Sequence, residues 1–250
     1  MADLAQRDSP CSAAHAVRPP GFTGVKLISK AMTLAYRLTG KDRYDDFRLE
    51  RVLGLPLLVT PTVFNPKLPR TGAFFAAYLE AHGITPRAEV LDMGTGSGVC
   101  AVFAARHARR VVAVDINAAA VRCARLNATL NHLDQRIEVR HGDLFAPVAG
   151  ERFDLILFNP PFLRGMPRDD RDRAWRSADI AERFAAGARD HLRPGGSALL
   201  LLSSFGGARP FLEEFRRREF AISTVAARRF LTERLAIFRL DPLPVGVRRD

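Results

Sequence analysis

The residues best suited to chemistry are Asn159-Pro160-Pro161-Phe162, which follow directly on the strand-like run Phe153–Phe158. Two successive prolines fix φ and remove two backbone donors. What remains is a row of acceptors, the Asn159 side-chain oxygen and the Pro160 carbonyl. A planar NH₂ group presents two donors in one plane, and two fixed acceptors can hold both hydrogens. Held so, its nitrogen lone pair faces an incoming methyl group, an effect of proximity and orientation. The same acceptors stabilise positive charge that builds on the nitrogen. The ring of Phe162 offers a stacking surface for a flat amide or base. Read alone, the tetrapeptide equally suits a rigid strand-ending turn.

A second cluster lies upstream, in Asp92-Met93-Gly94-Thr95-Gly96-Ser97-Gly98-Val99. Glycines let the backbone turn sharply and approach a ligand closely. A dinucleotide fingerprint reads G-x-G-x-x-G, and Val99 stands where its third glycine would be. Asp92 makes this loop negative, which suits a cofactor with a sulfonium and an amine better than a pyrophosphate. Asp115 ends the run Val112–Asp115. A carboxylate there can accept both hydroxyls of a ribose, or cap the helix that follows. Asp143, just after His141-Gly142, can accept from an exocyclic adenine amine while Leu144 lies against the ring. A solvated turn aspartate is the plainer reading of that residue. Asp92, Gly94, Gly96, Gly98, Asp115, Asp143 and Leu144 thus form the expected cofactor set, and S-adenosylmethionine is the expected cofactor.

These residues need strand ends to carry them. Strand-like runs occur at Glu89–Met93, Arg110–Asp115, Arg136–His141, Phe153–Phe158 and Ser197–Ser203. Helical stretches lie between them near Val99–His107, Ala118–Asn131, Arg173–Leu192 and Pro210–Glu219. Strands alternating with helices predict an α/β fold with a parallel sheet covered on both faces. Phe220–Arg229 and Arg234–Leu240 have no helix between them, so they predict a closing antiparallel hairpin. The expected fold is a Rossmann-like, seven-stranded, mostly parallel sheet. Upstream, Thr71–Gly83 reads as a helix ended by its glycine. Leu55–Pro69 alternates β-formers with prolines, an extended arm rather than a central strand. Arg43–Val52 reads as a short helix, and Val25–Leu38 as an amphipathic one. Residues 1–21 read as a flexible tail, 22–70 as a helical extension and arm, and 71–250 as the catalytic domain.

Composition excludes several classes. The longest apolar runs, Ala73–Leu79 and Val99–Ala105, are far short of the roughly 20 residues of a membrane span. The first twenty residues lack the apolar stretch of a signal peptide. Cys11, Cys100 and Cys123 show no CxxC spacing, so neither a disulfide framework nor a metal site is expected. A reducing cytoplasm is the expected compartment. The net charge of +11 suits an acidic or nucleic-acid partner. Arginine supplies nearly all of it, against four lysines, and GC-rich coding sequence gives the same bias.

Taken together, Val90–Val99, Val112–Asp115, Gly142–Phe145 and Phe153–Phe162 resemble the class I S-adenosylmethionine-dependent methyltransferases of the small methyltransferase domain kind. Within these the chain is similar to the HemK-type (PrmC-like) protein glutamine methyltransferases. The resemblance covers about Val63 to Leu240. It implies that Thr71 touches the methionine end of the cofactor, and that Asp92 and the Gly94 backbone hold its amino-acid part. It also implies Asp115 for the ribose, Asp143 and Leu144 for the adenine, and Asn159 as the bridge between cofactor and acceptor. Two departures stand out. The family usually has Tyr where this chain has Phe162, and the N-terminal 60 residues do not resemble the release-factor enzymes' recognition domain. The expected acceptor is a protein glutamine amide, on a translation factor or ribosomal protein. The alternatives are a nucleic-acid base (guanine N2 or adenine N6), with the arginine-rich loop Arg164–Arg176 and its Trp175 beside the site, or a binding module without catalysis.

Overall fold

A computed structural model of the chain describes residues 47–61, 63, 70–161, 163–165, 176–204, 208–231 and 233–244. The tail, the Val25–Leu38 helix, Phe162 and most of the loop after it, Trp175 included, lie outside the described residues.

The first described element corrects an expectation. Residues 48–52 form a strand, β1 (Arg48–Val52), not the end of a helix, and it pairs antiparallel with β2 (Leu55–Val59). Leu53 and Gly54 join them with φ of 47° and 87°, the left-handed pair that a two-residue hairpin turn requires. Val52, Leu57 and Val59 point inward while Leu49 and Arg51 face solvent. That alternation has the period of a strand, and the short charged segment obscured it.

There follow α1 (Thr71–His82), β3 (Glu89–Met93), α2 (Val99–Ala105), β4 (Arg110–Asp115), α3 (Ala118–Leu130) and β5 (Ile137–His141). Next come β6 (Phe153–Phe158), the short β7 (Leu163–Arg164) and β8 (Arg176–Ser177), and α4 (Ile180–Ala188). The chain then runs through β9 (Leu192–Ser203), α5 (Arg209–Arg217), β10 (Phe220–Arg229) and β11 (Arg234–Pro242). Seven strands form one sheet in the order β10-β11-β9-β6-β3-β4-β5. β3, β4, β5, β6 and β9 are parallel, and β11 and β10 close the sheet antiparallel. This is the expected architecture. Two boundaries differ: α4 is much shorter than Arg173–Leu192, and β9 begins at Leu192 rather than Ser197. The cause is local. The Phe153 N–H donates to the His191 carbonyl and Phe153 pairs with Leu192, so the sheet captures the chain before the helix can extend. Among the described residues no helix is long and apolar enough to cross a membrane.

Each central strand sends alternate side chains to opposite faces. Val111, Ala113, Leu157, Leu199 and Leu201 join one core with α1, α2, α3 and the β1–β2 hairpin. Val112, Val114, Ile156, Phe158, Leu200 and Leu202 join the other with α4 and α5. In the second core Phe184 is fully buried and lies against Phe158, Phe145 and Phe215, with ring centroids 4.3, 5.5 and 5.8 Å away. Phe158 immediately precedes Asn159, so this aromatic cluster sets where the end of β6 stands.

Truncating a buried phenylalanine removes its transfer free energy and leaves a cavity. Phe184→Ala should therefore lower unfolding free energy by about 3–5 kcal/mol in urea titrations. Leu231→Ala, at a fully exposed site, should change it by less than about 0.5 kcal/mol.

Candidate active site

The expected residues converge at the carboxyl ends of β3, β4, β5 and β6, where ligands of open α/β sheets bind. Asp92 sits beneath the glycine loop and is buried. Its Oδ2 accepts from the Thr95 hydroxyl at 2.6 Å and from the Ala101 N–H at 3.0 Å. It thus ties the loop to the first turn of α2. Burial pushes its pKa up to about 7; the two hydrogen bonds oppose this, and the neighbouring Asp115 carboxylate adds to it.

Asp115 ends β4 and faces the same loop. The Gly96 N–H donates to its Oδ2 at 2.8 Å, and the Asn117 N–H to its Oδ1 at 2.9 Å. Burial raises its pKa as well, against the lowering effect of those backbone donors and of His141. As a helix cap it is replaced by Asn117, whose side chain accepts from the Ala119 N–H at 2.8 Å. That frees Asp115 for the loop.

The glycines have separate reasons. Gly96 has φ of 57°, and a β-carbon there would meet nothing within 4 Å; its face opens on the cleft. At Gly98, with φ of 81°, a β-carbon would stand 3.0 Å from the Ala124 α-carbon, so glycine lets α3 press against the loop. Gly94 faces the Phe158 ring, which couples the loop to the end of β6.

Asn159 follows β6, and its Nδ2 donates to the Thr71 hydroxyl at 3.4 Å. Thr71 is fully buried at the start of α1. The Asn159 Oδ1 is buried and has no hydrogen-bond partner among the described residues. Pro160 is buried and Pro161 half-buried. Asp143 follows β5, and Arg183 of α4 forms an ion pair with its carboxylate. Leu144 beside it is half-buried, with φ of 46°.

Sequence reasoning missed Asn127. This buried residue of α3 accepts from the Leu58 N–H at 2.6 Å, and it donates to the carbonyls of Leu58 and Ser97 at 2.7 and 2.8 Å. One side chain thus clamps the hairpin to the glycine loop. An asparagine in mid-helix among Ala124 and Ala128 was the available signal. Arg183 was missed too, because its partner Asp143 is 40 residues away in sequence. Among the described residues no group of three His, Cys, Asp or Glu is placed to hold a metal.

The raised Asp92 pKa has a definite sign. An acid with a folded pKa near 7 against an ordinary 3.8 favours folding below the lower value. That contribution is lost as pH rises through the upper one. Asp92→Asn, a shape mimic of the protonated acid, should lack this dependence. The stability of the parent relative to the variant should fall by a few kcal/mol between pH 4 and about 7.5, measured by urea unfolding at each pH. A pH-independent difference would show that Asp92 is charged throughout.

The model of the methyltransferase small domain family matches residues 55–228. Over 137 residues the chain is 38% identical to a ribosomal RNA small subunit methyltransferase C of Alcanivorax borkumensis, covering 54% of this chain and 39% of that protein. Over 163 residues it is 36% identical to a release factor glutamine methyltransferase of Koribacter versatilis, covering 59% and 57%. The chain therefore spans about half the length of the curated relatives it matches. Among solved structures, the T. thermophilus 16S rRNA N2 methyltransferase with AdoMet and guanosine aligns with a TM-score of 0.60 at 24% identity, over 79% of this chain and 50% of that one. That likeness concerns the fold. With the family match extending over most of the chain, from β2 to β10, this protein belongs to the methyltransferase small domain family.

Proposed function

We propose that this chain transfers a methyl group from S-adenosylmethionine to a planar exocyclic nitrogen at Asn159. The observation that carries this reading is the Asn159 side chain itself. Its amide nitrogen is engaged by Thr71, while its Oδ1 is buried without a partner among the described residues. A buried acceptor left unpaired costs about 1–3 kcal/mol, so its position suits a donor that arrives with the acceptor molecule.

The cleft fits the cofactor by charge and shape. Asp92 and Asp115 are two carboxylates whose burial disfavours their ionised forms, and a nearby cation would relieve both. The open face of Gly96 gives the ligand room. In this reading Asp115 takes the ribose hydroxyls with its remaining lone pairs, and Asp143 and Leu144 take the adenine. Thr71, Asp92 and the backbone from Gly94 to Gly98 hold the methionine end. Bound there, the cofactor supplies an electrophilic methyl on a sulfonium. Asn159 Oδ1 accepts one N–H of the substrate NH₂ and the Pro160 carbonyl the other, which fixes the nitrogen plane. Pro161 keeps that turn rigid, and Phe162 provides the stacking face. Both oxygens would stabilise the charge that develops on nitrogen, and no strong base would be needed because that nitrogen, made acidic as it gains the methyl, can release its proton to water. Residues 71–250 carry the transfer, and the hairpin buttresses the loop through Asn127.

Two acceptors present such a group. A glutamine amide accords with relatives named for release factor and for ribosomal protein uL3. A nucleobase amine accords with the relative named for ribosomal RNA and with the net charge of +11.

Asn159→Ala should keep the affinity for S-adenosylmethionine within about threefold while lowering methyl transfer by roughly 10²–10³, as loss of a charge-stabilising group does. Radiolabelled cofactor with lysate from cells lacking the protein measures transfer, and calorimetry measures binding. Transfer at the parent rate would remove Asn159 from the active site. Binding without transfer in the parent would favour a non-catalytic module.

A further inference from the structure

A basic and aromatic rim borders the site. β11 begins at Arg234 at the same end of the sheet where β6 ends, because the Arg234 N–H donates to the Ser204 hydroxyl just past β9. With β9 between them and neighbouring strands about 4.8 Å apart, β11 lies about 10 Å from β6. Arg70 adjoins Thr71, the partner of Asn159. The Arg70 guanidinium lies over the Phe230 ring at 5.1 Å from its centroid, and that of Arg228 at 5.3 Å. A continuous path thus leads from Asn159 through Thr71 and Arg70 to Phe230.

Three of the rim's charges have no carboxylate partner among the described residues. Arg228, Arg229 and Arg234 are exposed and make no ion pair with a carboxylate among the described residues. Arg229 and Arg234 are direct cross-strand partners, and like charges so placed are destabilising. Glu233, the acid nearest in sequence, is half-buried and accepts from the Ser203 hydroxyl; Arg70 lowers its pKa against the larger effect of burial. Arg110 and Arg140, by contrast, are matched with Glu138 and Glu151. Leu231 beside Phe230 is fully exposed.

We infer that this rim, Arg70, Arg228, Phe230, Arg229 and Arg234, is a docking surface for single-stranded RNA that presents the target base to Asn159. Unpaired guanidinium groups bind phosphates with release of counterions. Flat arginine–aromatic surfaces stack bases. An exocyclic amine can be reached only on an unpaired base, and RNA offers such bases in loops and bulges. An acidic peptide would meet the charge but has no planar group for the stacked surface. The inference rests on the reading of Asn159 as the transfer site.

The test uses the full chain and a fluorescent 12-nucleotide single-stranded RNA of mixed sequence, read by anisotropy at two salt concentrations. Arg228→Ala combined with Arg229→Ala should weaken binding about tenfold and reduce the salt slope by about 1.4. Phe230→Ala should weaken it by about fivefold or more. S-adenosylmethionine affinity and thermal stability should stay near those of the parent. A glutamate-rich peptide should bind at least tenfold more weakly than the RNA. Unchanged RNA binding in the rim variants, or a peptide that binds as tightly as RNA, would overturn the inference. Neither result touches the transfer assignment, which depends separately on Asn159→Ala.

Discussion

The glycine loop that follows β3 depends on one buried carboxylate. Asp92 holds the Thr95 hydroxyl and the Ala101 N–H on a single oxygen, so the loop cannot open without breaking both bonds. Every other feature of the cleft is referred to that loop. Gly96 reaches Asp115 from it, Gly98 brings α3 onto it, Phe158 packs under Gly94, and Asn127 binds the Ser97 carbonyl. A carboxylate in that position must either protonate or find positive charge. The same interaction thus fixes the geometry of the loop and the sign of the ligand it favours.

The turn that follows β6 is built by different means. No carboxylate or imidazole is bonded to Asn159 among the described residues; its partner is the Thr71 hydroxyl. Two prolines remove backbone donors, and the aromatic cluster around Phe184 holds β6 from below. Rigid packing does here what a hydrogen-bond network does at the cofactor end. It leaves Asn159 Oδ1 unpaired inside the protein, which is costly in isolation and useful only toward a donor.

Much of the fold was legible because its strands are buried on both faces. Glu89–Met93, Arg110–Asp115 and Phe153–Phe158 are mainly apolar runs with bounds that the sequence marks by glycine, aspartate or asparagine. The hairpin of β1 and β2 was not legible as such, since half of β1 is charged and its turn carries a left-handed leucine, Leu53. The start of β9 was hidden by Pro194-Gly195-Gly196, which interrupts the apolar pattern between Leu192, paired with Phe153 of β6, and Ser197. At the site, local residues such as Asp92 and Asn159 announced themselves by spacing. Asn127, Arg183 and the Arg70–Phe230 contact did not, because each joins segments far apart in sequence.

The electrostatics also separate this loop from a dinucleotide loop of similar glycine content. A pyrophosphate brought to Gly94–Gly98 would stand beside Asp92 and Asp115, two groups whose burial already favours protonation. Its charges would raise both pKa values further, so binding would take up protons and weaken as pH rose. A cation at the same place acts in the opposite sense. It stabilises the ionised carboxylates, and binding releases protons because the groups' pKa values fall. Negative charge without a matching cation at one end of the site, and unpaired arginines at the rim, thus ask for two ligands of opposite sign. At the end of β6 the Asn159 oxygen is buried without a hydrogen-bond partner among the described residues. Opposed charge preferences on either side of one fixed acceptor would orient two dissimilar ligands toward each other without any moving part.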